Sequence, residues 1–429
     1  MDNVIIAGVM LDRQSVTDFD RSMNELEGLC EACDMQVVGR VTQALETFNK
    51  GTYMGSGKVE ELKGLAEQLS ASLVVFDDSL SPSQLRNLSD VLGVGVMDRS
   101  ALILEIFSSR ARTREAMLQV EVASLQYMLP RLVGLRDALS RQGGTSGSMS
   151  NRGAGEKKLE LDRRRLEARL TQLRRELKEV SDERANQRKH RNNSGIKRIA
   201  LVGYTNAGKS TLLNALLDEY AADDVDTQLK RVEEKDMLFA TLDTTVRKIE
   251  PEGHIPFLVS DTVGFIDKLP HHLVEAFSST LEEACEADVI LHVIDAADSD
   301  YDRHIEVTEE TLKKLGALDI PRIRVLNKSD MTVNADSLPM VKKDDGQIPK
   351  IYMSARTHKG LEELLDLVES ELNGGYCNCE MIIPYDKGAI VSYLTDNAVI
   401  TDTEYRAEGT YLKVKLSKAD CGKYNQFIL

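Results

Sequence analysis

A chain of 429 residues has room for about three domains, and its 42% hydrophobic and 29% charged residues make an ordinary folded composition that excludes wholesale disorder. Its 54 basic and 70 acidic residues give a formal charge of −16, which counts against a generic nucleic-acid coat if the charge is evenly spread. No run approaches the roughly 18 consecutive apolar residues of a membrane-spanning helix.

The start, MDNVIIAGVMLD, has no basic leader and reads as a buried first strand, not a secretory signal. Strand and helix signals then alternate: VIIAGV (4–9), the helical SMNELEGLCEAC (22–33), MQVVGRV (35–41), the helical VEELKGLAEQL (59–69), LVVF (73–76), the helical PSQLRNLSDVL (82–92) and VGVM (94–97). That alternation predicts a small parallel α/β domain over 1–99. Cys30 and Cys33 share a helix face with Leu26 and Leu29, so core packing is their expected role. The six cysteines form no zinc or disulfide framework, which fits a reducing cytoplasm. Gly55-Ser56-Gly57-Lys58 resembles a phosphate loop but lacks the four-residue spacer and the following Ser/Thr, so a helix start is expected there.

Residues 100–194 change character. Leu118, Val122, Leu125, Leu129 and Leu132 recur at helical spacing, and so do Leu159, Leu166, Leu170, Leu173, Leu177 and Val180. Two such seams predict an antiparallel helical hairpin. The stretch RQGGTSGSMSNRGAG (141–155) between them has five glycines and no acid, so a loop that is mobile or ordered by a partner is expected. Charge reverses here: from Arg99 to Arg198 there are 23 Lys/Arg and 12 Asp/Glu, a local +11, leaving −27 on the rest. Arg163-Arg164-Arg165 and RKHR (188–191) look short of neutralising acids, so the hairpin reads either as an RNA or phosphate probe or, more plainly, as a solvated face laced with i,i+4 pairs.

The chemistry is legible over 195–374. RIALVGYTNAGKSTLLNALL (198–217) places Gly203-Tyr204-Thr205-Asn206-Ala207-Gly208-Lys209-Ser210-Thr211 between an apolar strand and a helix, the context a phosphate loop requires. Backbone N–H groups and the helix N-terminus suit phosphate oxygens. Lys209 is then expected on the β/γ oxygens and Ser210 on Mg²⁺. PFLVSDTVGF (256–265) ends a strand in Asp261-Thr262-Val263-Gly264, where Asp261 suits Mg²⁺ and Gly264 lets the backbone meet a γ-phosphate. RIRVLNKSD (322–330) ends in Asn327-Lys328-Ser329-Asp330; the Asp330 carboxylate can accept two hydrogen bonds from a guanine edge that adenine lacks. KIYMSA (350–355) offers the Ser354 and Ala355 N–H groups to the base carbonyl, with Arg356 beside them. Four motifs in this order predict a GTP site.

The combination GYTNAGKST, FATLD, DTVGF and NKSD resembles the HflX GTPases, relatives of the Obg proteins. So do GSGKVEEL, DDSLSPSQLRNL, MDRSALILEIFSSRARTREAMLQVEVASLQYMLPRL and LELDRRRLEARL upstream, which extends the resemblance over roughly residues 40–375. It implies a cytoplasmic GTP hydrolase that binds GTP and GDP. It further implies binding to the large ribosomal subunit and its RNA, with a role in splitting or rescuing stalled ribosomes. Within Phe239-Ala240-Thr241-Leu242-Asp243, Thr241 matches the family's switch threonine, which closes on Mg²⁺ and the γ-phosphate; Thr245 is a nearby rival. The catalytic set is thus Lys209, Thr241 and Gly264, and the metal set Ser210, Thr241 and Asp261. Thr244 stands where the family usually has proline, the acidic stretch 218–236 is longer than expected, and Ala154 replaces a proline before Gly155-Glu156.

Phe265 follows Gly264 where many GTPases carry a water-orienting glutamine, and a phenyl ring makes no such hydrogen bond, so intrinsic hydrolysis is expected to be slow. Asn206 matches a position that in some related GTPases helps hold K⁺; its alternative role is shaping the turn. Beyond Gly375, EMIIPY, GAIVSYL (388–394), AVITDTEY and GTYLKVKL read as strands of a small C-terminal α+β domain, 375–429. The expected whole is an α/β protein: a P-loop GTPase domain preceded by a small parallel α/β domain and a helical hairpin, followed by a small α+β domain, and monomeric off the ribosome. Two other readings are a GTP-gated binding protein with a non-ribosomal partner and an ATP-assisted RNA remodeller.

Overall fold

The computed structural model of the protein describes residues 2–141, 149–192, 196–220, 238–239, 245–270, 273, 283–332, 340–342, 348–373 and 376–429. The chain forms two compact units: one holds residues 1–183 with the short segments 236–242 and 267–278, the other holds the remainder. Among the described residues no helix is long and apolar enough to cross a membrane.

In the first unit, β1 (Asp2–Leu11), β2 (Met35–Leu45), β3 (Leu73–Phe76) and β4 (Gly95–Asp98) form a parallel sheet in the order β2-β1-β3-β4. The helices α1 (Val16–Glu31), α2 (Ser56–Gln68), α3 (Pro82–Leu92) and α4 (Arg99–Arg110) connect or follow these strands. Their ends are written in the sequence. Ser15 accepts from the Asp18 N–H, Ser81 and Gln84 form a capping box with Pro82 in the first turn, and Asp98 accepts from the Ala101 N–H. Cys30 is buried among core residues of α1, and burial raises its thiol to about 12, as a packing role requires.

At the carboxyl edge of this sheet, Arg99 is only 2% exposed and donates to Asp77 at 2.8 Å and to Glu25. Lys268, in the segment 267–278 of the same unit, donates to Asp77 and, at 3.1 Å, to Asp78. Asp77 titrates below the usual carboxylate range; burial alone would raise it, and Arg99 and Lys268 outweigh that penalty. At Gly55-Ser56-Gly57-Lys58, Gly55 begins α2 without a side-chain cap, and Lys58 lies on the helix surface paired with Glu61 at 2.9 Å.

Two long helices follow, α5 (Arg114–Arg141) and α6 (Met149–Asn192). Leu118, Val122, Leu125, Leu170 and Leu173 bury one shared seam, with Leu129, Leu166, Leu177 and Val180 packed at its margin. This is the seam expected from periodicity; the side chains of Leu132 and Leu159 lie outside the described ones. Arg169 ties α6 to Glu121 of α5 at 2.9 Å. Two expectations need correction. The glycine-rich stretch is not all loop, since α6 begins at Met149, and 142–148 lie outside the described residues. Once a helix is nucleated, each added residue gains a backbone bond, which outweighs the modest glycine penalty. Arg163, Arg164 and Arg165 are also not short of acids: Arg163 pairs with Glu160 and Glu167, Arg164 with Glu160, and Arg165 with Asp162. Helical geometry brings residues three and four apart together, so a triplet that looks bare in line is paired in space. The side chains of residues 188–191 are outside the described set.

The second unit is built on a seven-stranded sheet. Its strands are β5 (Lys197–Val202), β6 (Thr245–Ile249), β7 (Phe257–Asp261), β8 (Val289–Asp295), β9 (Arg322–Asn327), β10 (Val341–Lys342) and β11 (Lys350–Tyr352), in the order β10-β11-β9-β8-β5-β7-β6. Only the edge strands β6 and β10 run antiparallel to their neighbours. The helices α7 (Lys209–Tyr220), α8 (Tyr301–Lys314) and α9 (Leu361–Asn373) belong to this body. The central strands bury apolar residues on both faces, Ile199, Leu201, Val259, Leu291 and Val325 in one cluster and Ala200, Val202 and Ile290 in the other, as a sheet covered on both sides requires. Beyond it, β12 (Tyr376–Ile383), β14 (Gly409–Ser417) and β13 (Val399–Arg406) form an antiparallel sheet in the order β12-β14-β13, with α10 (Gly388–Asn397) and α11 (Lys418–Tyr424). GAIVSYL, expected as a strand, is helix α10. Its apolar Ile390, Val391 and Leu394 recur at one and then three residues, which puts all three on one face of a helix against the module's core.

Candidate nucleotide site

The carboxyl ends of β5, β7, β9 and β11 carry the four sequence motifs, as an open parallel sheet places its ligand loops. β5 ends at Val202; a tight loop leads to α7, whose first turn contains Lys209, Ser210 and Thr211. The first N–H groups of a helix have no intrahelical acceptor, so this turn presents positive potential to the loop. Lys209 is 7% exposed and donates to the carbonyls of Gly203 at 3.2 Å and Tyr204 at 2.9 Å. Burial lowers its ammonium to about 8, against the opposing pull of Asp261.

Ser210 Oγ donates to Asp261 Oδ2 at 2.7 Å, so the two side chains expected to share a metal are in contact. A hydroxyl and a carboxylate are hard oxygen donors, and one carboxylate alongside substrate phosphates is how Mg²⁺ is usually held. Thr205 Oγ1 is buried with no hydrogen-bond partner among the described residues, a polar atom suited to an incoming ligand group.

After Asp261 the chain crosses back to the phosphate loop: the Phe265 N–H donates to Gly203 O at 3.1 Å, and the Thr205 N–H donates to Phe265 O at 2.8 Å. Gly264 lies against that loop so closely that a Cβ there would sit 2.8 Å from Thr205 Cγ2 and 3.0 Å from Lys209 Nζ. Thr262 donates to Leu201 O at 2.6 Å and Val263 is buried, so both shape the turn. The Phe265 ring is 2% exposed, packed with Ala200, Val202, Ala284 and Ile290. It is a core residue, and neither its chemistry nor its direction orients a water.

Asn327 links three loops. Its Nδ2 donates to Ala207 O at 3.0 Å, and its Oδ1 accepts the Ala355 N–H at 2.9 Å. Gly208 has φ +90°, and a Cβ there would lie 2.3 Å from Asn327 Nδ2. Lys328 sits in a left-handed turn (φ 58°) with its ammonium 2.7 Å from Asp295. Asp330 is exposed, and so is Arg356. The Ser354 and Ala355 N–H groups, expected to face a base carbonyl, are engaged elsewhere: Ser354 donates to Lys359 O at 3.0 Å and Ala355 to Asn327. Both donors are thus satisfied within the protein, Ala355 by Asn327 and Ser354 by the Lys359 carbonyl.

Of the switch residues, Ala240, Thr241, Leu242 and Asp243 lie outside the described residues. Phe239 belongs to the first unit, where its ring stands edge-on to Phe107 at 4.7 Å and is 2% exposed. Its burial is that of a packed aromatic. Thr245, the rival to Thr241, opens β6 directly opposite Asp261 of β7. Asn206 is exposed and adopts φ 60°, a conformation asparagine tolerates better than most residues, so it does shape the turn. Two supporting residues escaped sequence reasoning. His304 of α8 stacks on Tyr204 at 3.9 Å and 15°, and Asp295 anchors Lys328. Asp295 ends an apolar strand and was findable by that position; His304 acts across about a hundred residues and carries no local signal.

A phosphate loop on a largely parallel sheet, a Ser–Asp pair beneath it and an Asn-Lys-x-Asp loop clamped to it define a P-loop GTPase. Residues 198–328 match the family described as "50S ribosome-binding GTPase". Residues 20–108 match "GTP-binding GTPase N-terminal", 110–191 "GTP-binding GTPase Middle Region" and 339–426 "HflX C-terminal domain". The chain is 42% identical over 412 residues to the GTPase HflX of Caldanaerobacter subterraneus, covering 96% of this chain and 91% of that one. It is 43% identical over 395 residues to that of Lacrimispora saccharolytica (92% and 89%) and 40% identical over 438 residues to that of Akkermansia muciniphila (100% and 97%). The chain belongs to the HflX family of GTPases, and its activity is hydrolysis of GTP.

Proposed function

We propose that this GTPase binds the large ribosomal subunit in its GTP state and helps split or rescue stalled ribosomes, with hydrolysis releasing it. The observation that carries the nucleotide part is the convergence of Lys209, the Ser210–Asp261 pair at 2.7 Å and the Asn327 clamp around one loop. Lys209 exchanges its loop carbonyls for β/γ-phosphate oxygens, the α7 N-terminus and the loop N–H groups from Asn206 to Thr211 hold the phosphates, and the Gly264 N–H meets the γ-phosphate. Asp330 reads the guanine edge, with Lys328 and Arg356 beside the base. Ser210, Asp261 and Thr241 would hold Mg²⁺, which would supply charge neutralisation at the transferring phosphoryl group. K⁺ near Asn206 is a further candidate; replacing K⁺ by Na⁺ with unchanged turnover removes it.

Ribosome binding is supported by the +11 charge over residues 99–198 and by the ribosome-binding description of the matched family. We take the working parts as residues 1–99, 100–194, 195–374 and 375–429, in a cytoplasmic protein that is monomeric off the ribosome. Ordering of switch loops by the γ-phosphate gives the GTP state a shape the GDP state lacks. The test is co-sedimentation with large subunits. Binding in a non-hydrolysable GTP analogue, lost in GDP and weakened by salt, is the expected result. Absent binding, or binding equal in GDP, overturns the ribosomal reading.

A further inference from the structure

Cys379 and Cys421 are separated by 42 positions in the chain, yet their Sγ atoms lie 3.2 Å apart. Cys379 is on β12, paired across the sheet with Val414, and Cys421 is on α11; both are half-buried at the edge of the cluster formed by Met381, Leu412, Val414, Leu416 and Tyr424. A disulfide bond is about 2.05 Å long, so the two sulfurs must close by only about 1.1 Å. The contact is not a by-product of sequence proximity, because strand and helix converge through the fold.

The place of the contact gives it consequence. After α11 the chain returns to β12, where Ile428 bridges Met381 and the Leu429 N–H donates to Glu380 O at 2.8 Å. The segment from Lys418 onward thus covers β12, held by that bridge and by packing on a small core. Modules with small cores are the ones in which a covalent cross-link changes stability most.

We propose that Cys379 and Cys421 are a redox modification site that hydrogen peroxide oxidises to an intramolecular disulfide, pinning the C-terminal segment to β12. One thiolate attacks the peroxide oxygen, the O–O bond breaks, and the sulfur becomes a sulfenic acid as the first water leaves. The second thiol attacks that sulfur, an S–S bond forms, and the hydroxyl leaves as the second water. Two thiols lose two electrons and two protons, and one peroxide becomes two waters.

The test uses the full chain, reduced, desalted and exposed to hydrogen peroxide, then acid-quenched, alkylated and mapped by mass spectrometry. The expected product is a peptide pair joined at Cys379 and Cys421, lighter by two hydrogen atoms and reversed by dithiothreitol. Proteolysis of the C-terminal segment is expected to slow by about tenfold on oxidation, because the cross-link suppresses opening. Cys421→Ser should abolish both the cross-link and the protection while leaving GTP turnover unchanged. Sulfinic or sulfonic acid at Cys379 without a cross-link, a bond to Cys377 instead, or unmodified thiols under conditions that oxidise free glutathione would each overturn the proposal.

Discussion

Two turns in this chain carry glycines followed by lysine, and the structure treats them in opposite ways. At Gly55–Lys58 the turn starts a helix, Gly57 has nothing within 4 Å of an added Cβ, and Lys58 pairs with Glu61 on the surface. At Gly203–Ser210 the glycines are crowded, a Cβ on Gly208 would lie 2.3 Å from Asn327 Nδ2, and Lys209 is buried among carbonyls. Residue types are nearly the same in both. What differs is spacing: four residues between Gly203 and Gly208 give the loop enough backbone to wrap, and a hydroxyl after the lysine meets Asp261. A phosphate loop is therefore a crowded, clamped loop, and glycine content alone does not make one.

The sharpest way to break this contrast is to remove both lysines in turn. Lys209→Ala should lower kcat/KM for GTP by about 10³-fold or more, since a buried cation aimed at developing phosphate charge is lost. Lys58→Ala removes a surface pair and should leave turnover within experimental scatter. ATP turnover that survives Lys209→Ala but not Lys58→Ala would reverse the assignment and point to a second nucleotide site.

The next effect is on base choice. Asp330→Asn should weaken GTP binding by about 10²–10³-fold, because one carboxylate oxygen is replaced by an amide donor facing the guanine amino group. Xanthine nucleotides, which carry a carbonyl at that position, should gain affinity. Competition binding with both nucleotides reads the exchange directly; unchanged preference would place the base elsewhere.

Crowding itself is tested at Gly264. Alanine there meets Thr205 Cγ2 at 2.8 Å and Lys209 Nζ at 3.0 Å, so the loop must give way. A displacement of about 1 Å at a reacting centre costs about 10²-fold in turnover. Single-turnover hydrolysis should fall by that order, with GDP affinity changing far less because GDP lacks the γ-phosphate. Equal losses of GDP binding and turnover would mean that Gly264 only supports the loop.

How much of this was readable beforehand depends on the range of the interaction. The phosphate loop, the Asp261 strand end and the Asn327 turn are local words whose backbone setting follows from adjacent apolar strands, and each falls where the sequence puts it. The hairpin seam is likewise periodic and legible. The misreadings are of other kinds. GAIVSYL is too short for its period to separate strand from helix. The arginine triplet looked bare because its acids lie three and four residues away, visible only once the chain is coiled. The Ala355 N–H is claimed by Asn327, and Cys379 meets Cys421, through tertiary contacts no linear pattern encodes.

The smallest expected effect separates the two lysines by titration. Burial lowers Lys209 to about 8, below its ordinary 10.5, with Asp261 pulling the other way. Bound polyphosphate favours the charged ammonium, so above pH 8 binding must take up a proton. GTP affinity should then fall as pH rises, approaching about tenfold per pH unit beyond 8. Stability of the ligand-free chain runs in the opposite sense. Between about pH 8 and 10.5 the unfolded chain binds the lysine proton and the folded chain does not, so Lys209 makes stability increase with pH across that window. Calorimetric binding and denaturant melts from pH 7 to 10 measure the two slopes. Both should vanish in Lys209→Met, which keeps the buried stem without the charge, and both should persist in Lys58→Ala. A binding slope that survives Lys209→Met belongs to another group, and Lys209 would then be a packed residue more than a phosphate ligand.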